Sequence, residues 1–261
     1  MKTQIICEIG SNWESLDDIF HSCEWAVNHS CLPKLQAWVT DLVVNKDRNP
    51  QIYENMSRYE LPHDWIKKIN KRFPQTFYSV FDLETLAFLE TEIKPNYYKI
   101  ASPDAVYKPL VQAIASTGID TIVSVGGCTL NEIRGAAKAF DWRKLTLMEC
   151  NTSYPAKFAY LGNLRDRIIG SKLISWGYSD HTANWVIPAF AVTLGATMIE
   201  THFKLKFFDT PDSKHSLDKE AFESMLLLIE QAEENIGTLE HPYPDEIENM
   251  ELGRRKEDGL R

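Results

Sequence analysis

Residues able to do acid–base, metal and anion chemistry recur at one kind of place in this chain, the end of a short apolar run. Glu8 closes the first run, and Lys34 and Gln36 lie in the second. Ser79 ends the third, and Lys99 and Ser102, with Asp104 just after, end the fourth. Ser124 ends the fifth, and Asn151, Thr152 and Tyr154 follow the sixth. Ser179, Asp180 and His181 end the seventh, and Glu200 and His202 lie in the eighth. Imidazole is a common ligand of divalent transition metals, so His181 and His202 on neighbouring strand ends are the candidate metal pair. Few protein ligands would leave open coordination positions, as in catalytic rather than structural sites. Glu200 and His202 are two apart in a strand and share a face, which puts the carboxylate where it could orient the imidazole. His21, His29, His63, His215 and His241 fall in helices or loops and read mostly as surface residues. Lys34 and Lys99, with the hydroxyls of Ser79, Ser102, Ser124 and Ser179, suit a phosphate or carboxylate. Gly126 and Gly127 permit close backbone approach to such an anion.

One strand-end Glu or Lys taken alone is more often a helix cap or a snorkelling side chain. Polar residues at the same end of eight runs need another explanation, because burying that many polar groups costs stability unless they are used.

The elements that would position them alternate in kind. Strands are expected at Gln4–Ile9, Lys34–Val39, Thr76–Val80, Tyr97–Ala101, Thr121–Val125, Leu145–Cys150, Ile174–Tyr178 and Thr197–Phe203. Helices are expected at Leu16–Asn28, Leu83–Thr91, Lys108–Ser116, Leu130–Phe140, Leu161–Ile168, Trp185–Leu194 and Lys219–Ile236, with another opened by Pro62 after a long polar stretch, Asp41–Glu60. Alternating β and α implies a parallel sheet. Eight pairs in 261 residues favour a single (β/α)₈ barrel, whose usual length is roughly 250 residues and whose C-terminal face carries the chemistry. The expected organisation is a barrel over residues 1–240 and a polar C-terminal tail over 241–261.

Composition excludes other classes. Twenty-eight basic and 37 acidic residues give a charge of −9, which argues against a nucleic-acid or anionic-membrane partner. A bound anion must then be held by a local basic site. MKTQIICEIG has too short an apolar run for a signal peptide, and no stretch approaches the roughly 20 apolar residues of a membrane span. Five scattered cysteines without a C-x-x-C pair fit neither a disulfide framework nor a structural zinc site, and a cytoplasmic setting is expected.

With these residues in place, the chain resembles the barrel domain of the N-acetylneuraminate (sialic acid) synthase family. The stretches that carry the resemblance are EIGSN from Glu8, KLQ from Lys34, SVFD from Ser79, KIASPD from Lys99 and VSVGG from Val123, then ECNTSYP from Glu149, GYSDHT from Gly177, LGATMIETHF from Leu194 and PDSKHSL from Pro211. The resemblance implies condensation of phosphoenolpyruvate with an open-chain aldose, giving a 2-keto-3-deoxy sugar acid and phosphate. It implies a divalent ion, Mn²⁺ with Mg²⁺ or Co²⁺ as alternatives, on His181 and His202, acting as a Lewis acid on the aldehyde. By match, Lys34, Lys99, Ser79, Ser102, Ser124, Thr152 and Ser179 would hold phosphoenolpyruvate, and Gln36, Tyr154 and Asp212 the sugar. Glu8 and Asp104 would handle protons or orient water and substrate.

The chain also departs from the family pattern. Asp104 stands where Glu is usual, Ser79 and Val125 where Thr is usual, Glu149-Cys150 where a His-Cys pair is usual, and Trp13-Glu14 where a His-Gly pair is usual. Typical members continue into a small antifreeze-like domain that reaches over a partner's barrel. This sequence stops at Arg261, before any such domain, so a homodimer and a separate antifreeze-like protein acting in trans both stay open. Two other readings compete: a lid-less barrel serving as a sugar- or anion-binding or assembly subunit, and a Schiff-base aldolase working through Lys99.

Overall fold

The computed structural model describes residues 2–161, 175–236 and 244–256. Eight parallel strands close into a barrel in chain order: β1 (Gln4–Glu8), β2 (Leu32–Ala37), β3 (Phe77–Val80), β4 (Tyr97–Ile100), β5 (Asp120–Ser124), β6 (Leu145–Cys150), β7 (Ser175–Asp180) and β8 (Met198–His202), with β8 pairing back onto β1. The chain is thus a single (β/α)₈ barrel.

Strand alternation explains the division of residues. Side chains two apart share a face. On the inner face an apolar layer forms first, from Ile6, Phe77, Ile122, Met148 and Met198, with Leu32 and Tyr97 packed against it. Two positions further along the same strands stand Glu8, Lys34, Ser79, Lys99, Ser124, Cys150 and Glu200. The outer positions, such as Cys7, Leu35, Tyr78, Tyr98, Val123, Leu147, Tyr178 and Ile199, join the large core between barrel and helices. The polar layer therefore rests on an apolar plug, open only toward the strands' C-terminal ends.

The helices follow their caps. α1 (Leu16–Asn28) opens with a capping box between Ser15 and Asp18. The stretch expected to be merely polar holds two helices, α2 (Thr40–Val43) and α3 (Pro50–Arg58), the second with proline in its first turn. α4 (His63–Arg72) follows Pro62, and α5 (Leu83–Phe88) is capped by Asp82 and runs on into a π turn over Leu89–Ile93. α6 (Lys108–Thr117) ends at Gly118, and α7 (Leu130–Ala137) starts with a capping box of Thr129 and Glu132. α8 (Ile187–Thr193), α9 (Lys219–Asn235) and α10 (Pro244–Gly253) complete the described helices. The expected helix at Leu161–Ile168, the expected strand start at Ile174 and the tail start at His241 lie outside the described residues, apart from Leu161 itself. Among the described residues no helix is long and apolar enough to cross a membrane.

Candidate active site

Register brings the polar layer together. Glu8 pairs across β1–β2 with Lys34 and across β1–β8 with His202. Gln36 pairs with Ser79, Ser79 with Lys99, and Ser179 with Glu200. Lys34 donates to Ser79 Oγ at 2.8 Å and forms an ion pair with Glu8, while Gln36 Nε2 donates to the other Glu8 oxygen at 2.9 Å. Lys99 donates to both oxygens of Glu200 at 2.9 and 2.8 Å, and Lys34 lies 3.7 Å from Glu200. Ser179 Oγ donates to Glu200 at 3.0 Å.

The two lysines are therefore not a free cationic patch. They and two carboxylates form a buried four-charge cluster of zero net charge, with each residue at most 3% exposed. Burial opposes the Glu200 charge, but Lys34 and Lys99 outweigh it and hold the carboxyl well below its ordinary range. Burial likewise opposes Lys34, and Glu200 and Glu8 outweigh it and raise that amine. Burial prevails at the other two groups, lowering Lys99 and raising Glu8. Glu200 does not orient His202 by hydrogen bonding, as its shared face suggested. Its oxygens are taken by Lys99 and Ser179.

The histidines stand beside this cluster. His181 Nδ1 donates to the Asn151 carbonyl, which leaves Nε2 as the lone-pair nitrogen, 3.3 Å from Ser179 Oγ. Burial pushes His181 down to about 4, so it is neutral at pH 7, the form a metal ligand needs. Its ring lies 5.4 Å from that of His202 and 4.3 Å from Tyr154. Burial also lowers His202.

His215 corrects the surface reading. It is 2% exposed, and its ring is 4.4 Å from His202, 6.1 Å from His181 and 5.0 Å from Tyr154. After β8 the chain turns through a 3₁₀ segment, Pro211–His215, and returns as a parallel bridge between Phe203 and Leu217. Leu217 N–H donates to the His202 carbonyl at 2.8 Å. A loop residue thereby becomes a pocket residue. The only sequence signal was its spacing, three residues after Asp212. Asp212 Oδ1 is 3.4 Å from His215 Nε2, and Oδ2 is 4.0 Å from His202 Nδ1 and accepts the Ser11 N–H at 2.7 Å. Burial opposes the Asp212 charge, yet these partners hold the carboxyl far below its usual range.

The remaining expected residues divide. Ser102 is buried, accepts the Gly126 N–H at 2.9 Å and touches Cys150 Sγ at 3.2 Å. A Cβ on Gly126 would fall 2.6 Å from the Cys150 carbonyl, so the close approach there requires glycine. Ser124 is buried at the end of β5, and Thr152 lies against the Gly126–Gly127 turn. Tyr154 is exposed above the histidines. Asp104 is half-buried in a 3₁₀ turn after β4, and burial raises its carboxyl to about 6. Asp180 and Asn12, which the motifs contain, are structural. Asp180 bonds Tyr178 and Thr182, and Asn12 ties Phe203, Thr210 and Ser216 to the end of β1.

This arrangement sits in a chain whose residues 32–241 match the NeuB family. The chain belongs to the NeuB family. It is 31% identical over 226 residues to a pseudaminic acid synthase of Campylobacter jejuni, covering 78% of this chain and 65% of that protein. It is 28% identical over 248 residues to an N,N'-diacetyllegionaminic acid synthase of Legionella pneumophila, covering 85% and 69%. Among solved structures it is similar to an N-acetylneuraminic acid (sialic acid) synthetase from Leptospira borgpetersenii, with a TM-score of 0.87, 26% identity, and 97% and 91% of the two chains covered. The chain spans about two thirds of the length of these curated NeuB relatives.

Proposed function

We propose that this barrel condenses phosphoenolpyruvate with an open-chain aldose, an N-acylhexosamine or a related sugar, to a 2-keto-3-deoxy sugar acid of the nonulosonate type. The observation that carries this reading is the buried layer of Lys34, Lys99, Glu8 and Glu200, with hydroxyls and neutral imidazoles around it, at the open end of a NeuB-family barrel. C3 of the enol forms a bond to the aldehyde carbon, water adds at C2, and the C2–O bond to phosphate breaks as the ketone forms. Phosphate leaves with the electron pair of that bond.

Lys34, Lys99 and the hydroxyls of Ser79, Ser102, Ser124 and Ser179 bind the phosphorylated acid, with Thr152 at the edge. An arriving anion competes with Glu8 and Glu200 for the lysines, so the site is neutral when empty and admits one small anion rather than a polyanion. Gln36 and Tyr154 face the sugar. Burial raises both Glu8 and Asp104, the latter to about 6, and these two carboxyls handle protons or orient water and substrate.

The donor chemistry suits a divalent ion. His202 Nδ1 is buried without a hydrogen-bond partner, and His181 presents a neutral Nε2. His181 and His202 would hold Mn²⁺, or Mg²⁺ or Co²⁺ in its place, which when bound supplies Lewis acidity toward the aldehyde oxygen.

Lys99 gives the aldolase reading one supporting observation, its lowered amine. Both Glu200 oxygens bind that amine, which keeps its lone pair occupied by a proton and favours the synthase.

The test is phosphate release from phosphoenolpyruvate with Mn²⁺ and a panel of N-acylhexosamines and plain aldoses, the product identified by mass spectrometry. Aldose-dependent phosphate release is expected. A folded protein that releases none across the panel would overturn the reading.

A further inference from the structure

We infer that His215, together with Asp212 and His202, is a protein ligand of the divalent ion, so that this chain holds the metal with one more imidazole and one more carboxylate than the pair His181 and His202 alone. The inference extends the metal-dependent reading above and rests on it only for the ion's use in catalysis.

Three observations carry it. First, one nitrogen of His202, one oxygen of Asp212 and one nitrogen of His215 lie within 4.8 Å of one another, the single such cluster among the described residues. Ligands about 2.0–2.2 Å from an ion stand roughly 3–4 Å apart, so small side-chain adjustments close this set. Second, His202 Nδ1 and both ring nitrogens of His215 are buried without a hydrogen-bond partner. Buried polar atoms left unpaired are costly, and one explanation for a native orphan is an ion in that place. The Asp212 carboxylate lies 3.4 Å from His215 Nε2 and 4.0 Å from His202 Nδ1, so an ion seated among the three side chains would meet a donor atom of each. Third, the turn that carries Asp212 and His215 is pinned. Ser11 N–H holds the Asp212 carboxylate, Ser216 Oγ donates to the Asp212 carbonyl at 2.6 Å, and Lys204 Nζ donates to the Ser213 carbonyl at 2.7 Å. Asn12 Nδ2 in turn donates to Ser216 Oγ at 2.7 Å. Ligands held this firmly before the ion arrives lose little freedom on binding.

The inference reassigns Asp212. Its carboxylate faces the imidazoles and is spent on the ion, whereas the family resemblance would put it on the sugar. His181, its ring 5.4 Å from His202 and 6.1 Å from His215, stands at the edge of the same cluster, adjoining Ser179 and the Glu200–Lys99 pair.

The experiment uses Mn²⁺ alone on chelator-stripped full-length protein, with no phosphoenolpyruvate or sugar. Affinity is read by continuous-wave electron paramagnetic resonance and the number of coordinated nitrogens by pulsed measurements. His215→Ala should weaken Mn²⁺ binding tenfold or more and remove one imidazole coupling, and Asp212→Asn should weaken it similarly without loss of a nitrogen. His21→Ala, an exposed histidine on α1, should change neither. His215→Gln keeps the side-chain bulk, and thermal unfolding of each metal-free variant shows whether the fold is intact. If His215→Ala and His215→Gln both fold and keep wild-type affinity and couplings, the inference fails while metal binding stands. Wild-type protein that binds no Mn²⁺ overturns both this inference and the metal assignment. His215-dependent binding without phosphate release in the assay above overturns the synthase reading alone.

Discussion

Lys99 on β4 and Glu200 on β8 meet across the barrel: both carboxylate oxygens accept from the amine, at 2.9 and 2.8 Å, although the strands stand opposite each other in the ring. The pair spans the lumen and is buried, both residues being 3% exposed. Breaking it should be expensive. Glu200→Gln leaves Lys99 and Lys34 to share Glu8, and about 3 kcal/mol of stability is expected to go, measured by urea unfolding. Lys99→Met with Glu200→Leu removes both charges and should recover most of that loss while abolishing phosphate release. A cost under about 1 kcal/mol for Glu200→Gln would show that the pair is not desolvated.

The same pair bears on the aldolase alternative. An amine held by two carboxylate oxygens should not condense with a keto acid, so borohydride treatment in the presence of pyruvate is expected to leave Lys99 unmodified by peptide mass mapping. A reduced adduct at Lys99 would favour the Schiff-base route.

Gly10 supports Asp212 by having no side chain. Its φ is +52°, and a Cβ there would fall 2.2 Å from Asp212 Oδ2. Gly10→Ala should cost about 1–3 kcal/mol from the backbone alone. It should also move the carboxylate, so Mn²⁺ affinity is expected to fall. Gly135→Ala, on α7 with nothing within 4 Å of the added carbon, is the comparison that should leave binding unchanged.

Asp104 sets a pH dependence. Burial raises its carboxyl from an ordinary 3.8 to about 6. The folded state then binds a proton more tightly than the unfolded chain, so the associated stability is complete below about pH 4 and is lost as pH rises through about 6. Asp104→Asn should therefore be more stable than wild type at pH 8, by about 1 kcal/mol after allowance for partial exposure. If ionised Asp104 accepts a proton in turnover, kcat/KM rises through pH 6 in wild type, and that limb is absent in Asp104→Asn. A limb that persists in the variant assigns it to another group.

Metal removal should be reversible. Chelator is expected to abolish phosphate release and Mn²⁺ to restore it, while His181→Ala and His202→Ala should each lower turnover by at least about 100-fold. Full activity in either variant would remove that histidine from the ion. Mn²⁺ at about 100 times its Kd should stabilise wild type by about 2.7 kcal/mol, seen as a raised Tm, and stabilise each variant less.

Much of this protein could be read along the chain. Alternating apolar runs of strand and helix period set a closed barrel, because a parallel strand must be followed by a crossover and eight such units have one compact closure. Polar residues at the ends of apolar runs placed Glu8, Lys34, Ser79, Lys99 and Glu200 at one end of the barrel, and period-two alternation put Glu200 and His202 on one face, because both patterns are local to each strand. Only the tertiary structure decided which charges meet. Lys99 and Glu200 are 101 residues apart, and nothing in either strand says that ring closure sets them opposite, so the lysines read as a free basic pocket and are in fact neutralised. His215 was hidden for the same reason. Its burial comes from a returning loop bridged to β8 at Phe203 and Leu217, a pairing with no periodicity to announce it. Local pattern determines which face a side chain takes, and long-range closure determines what it touches there.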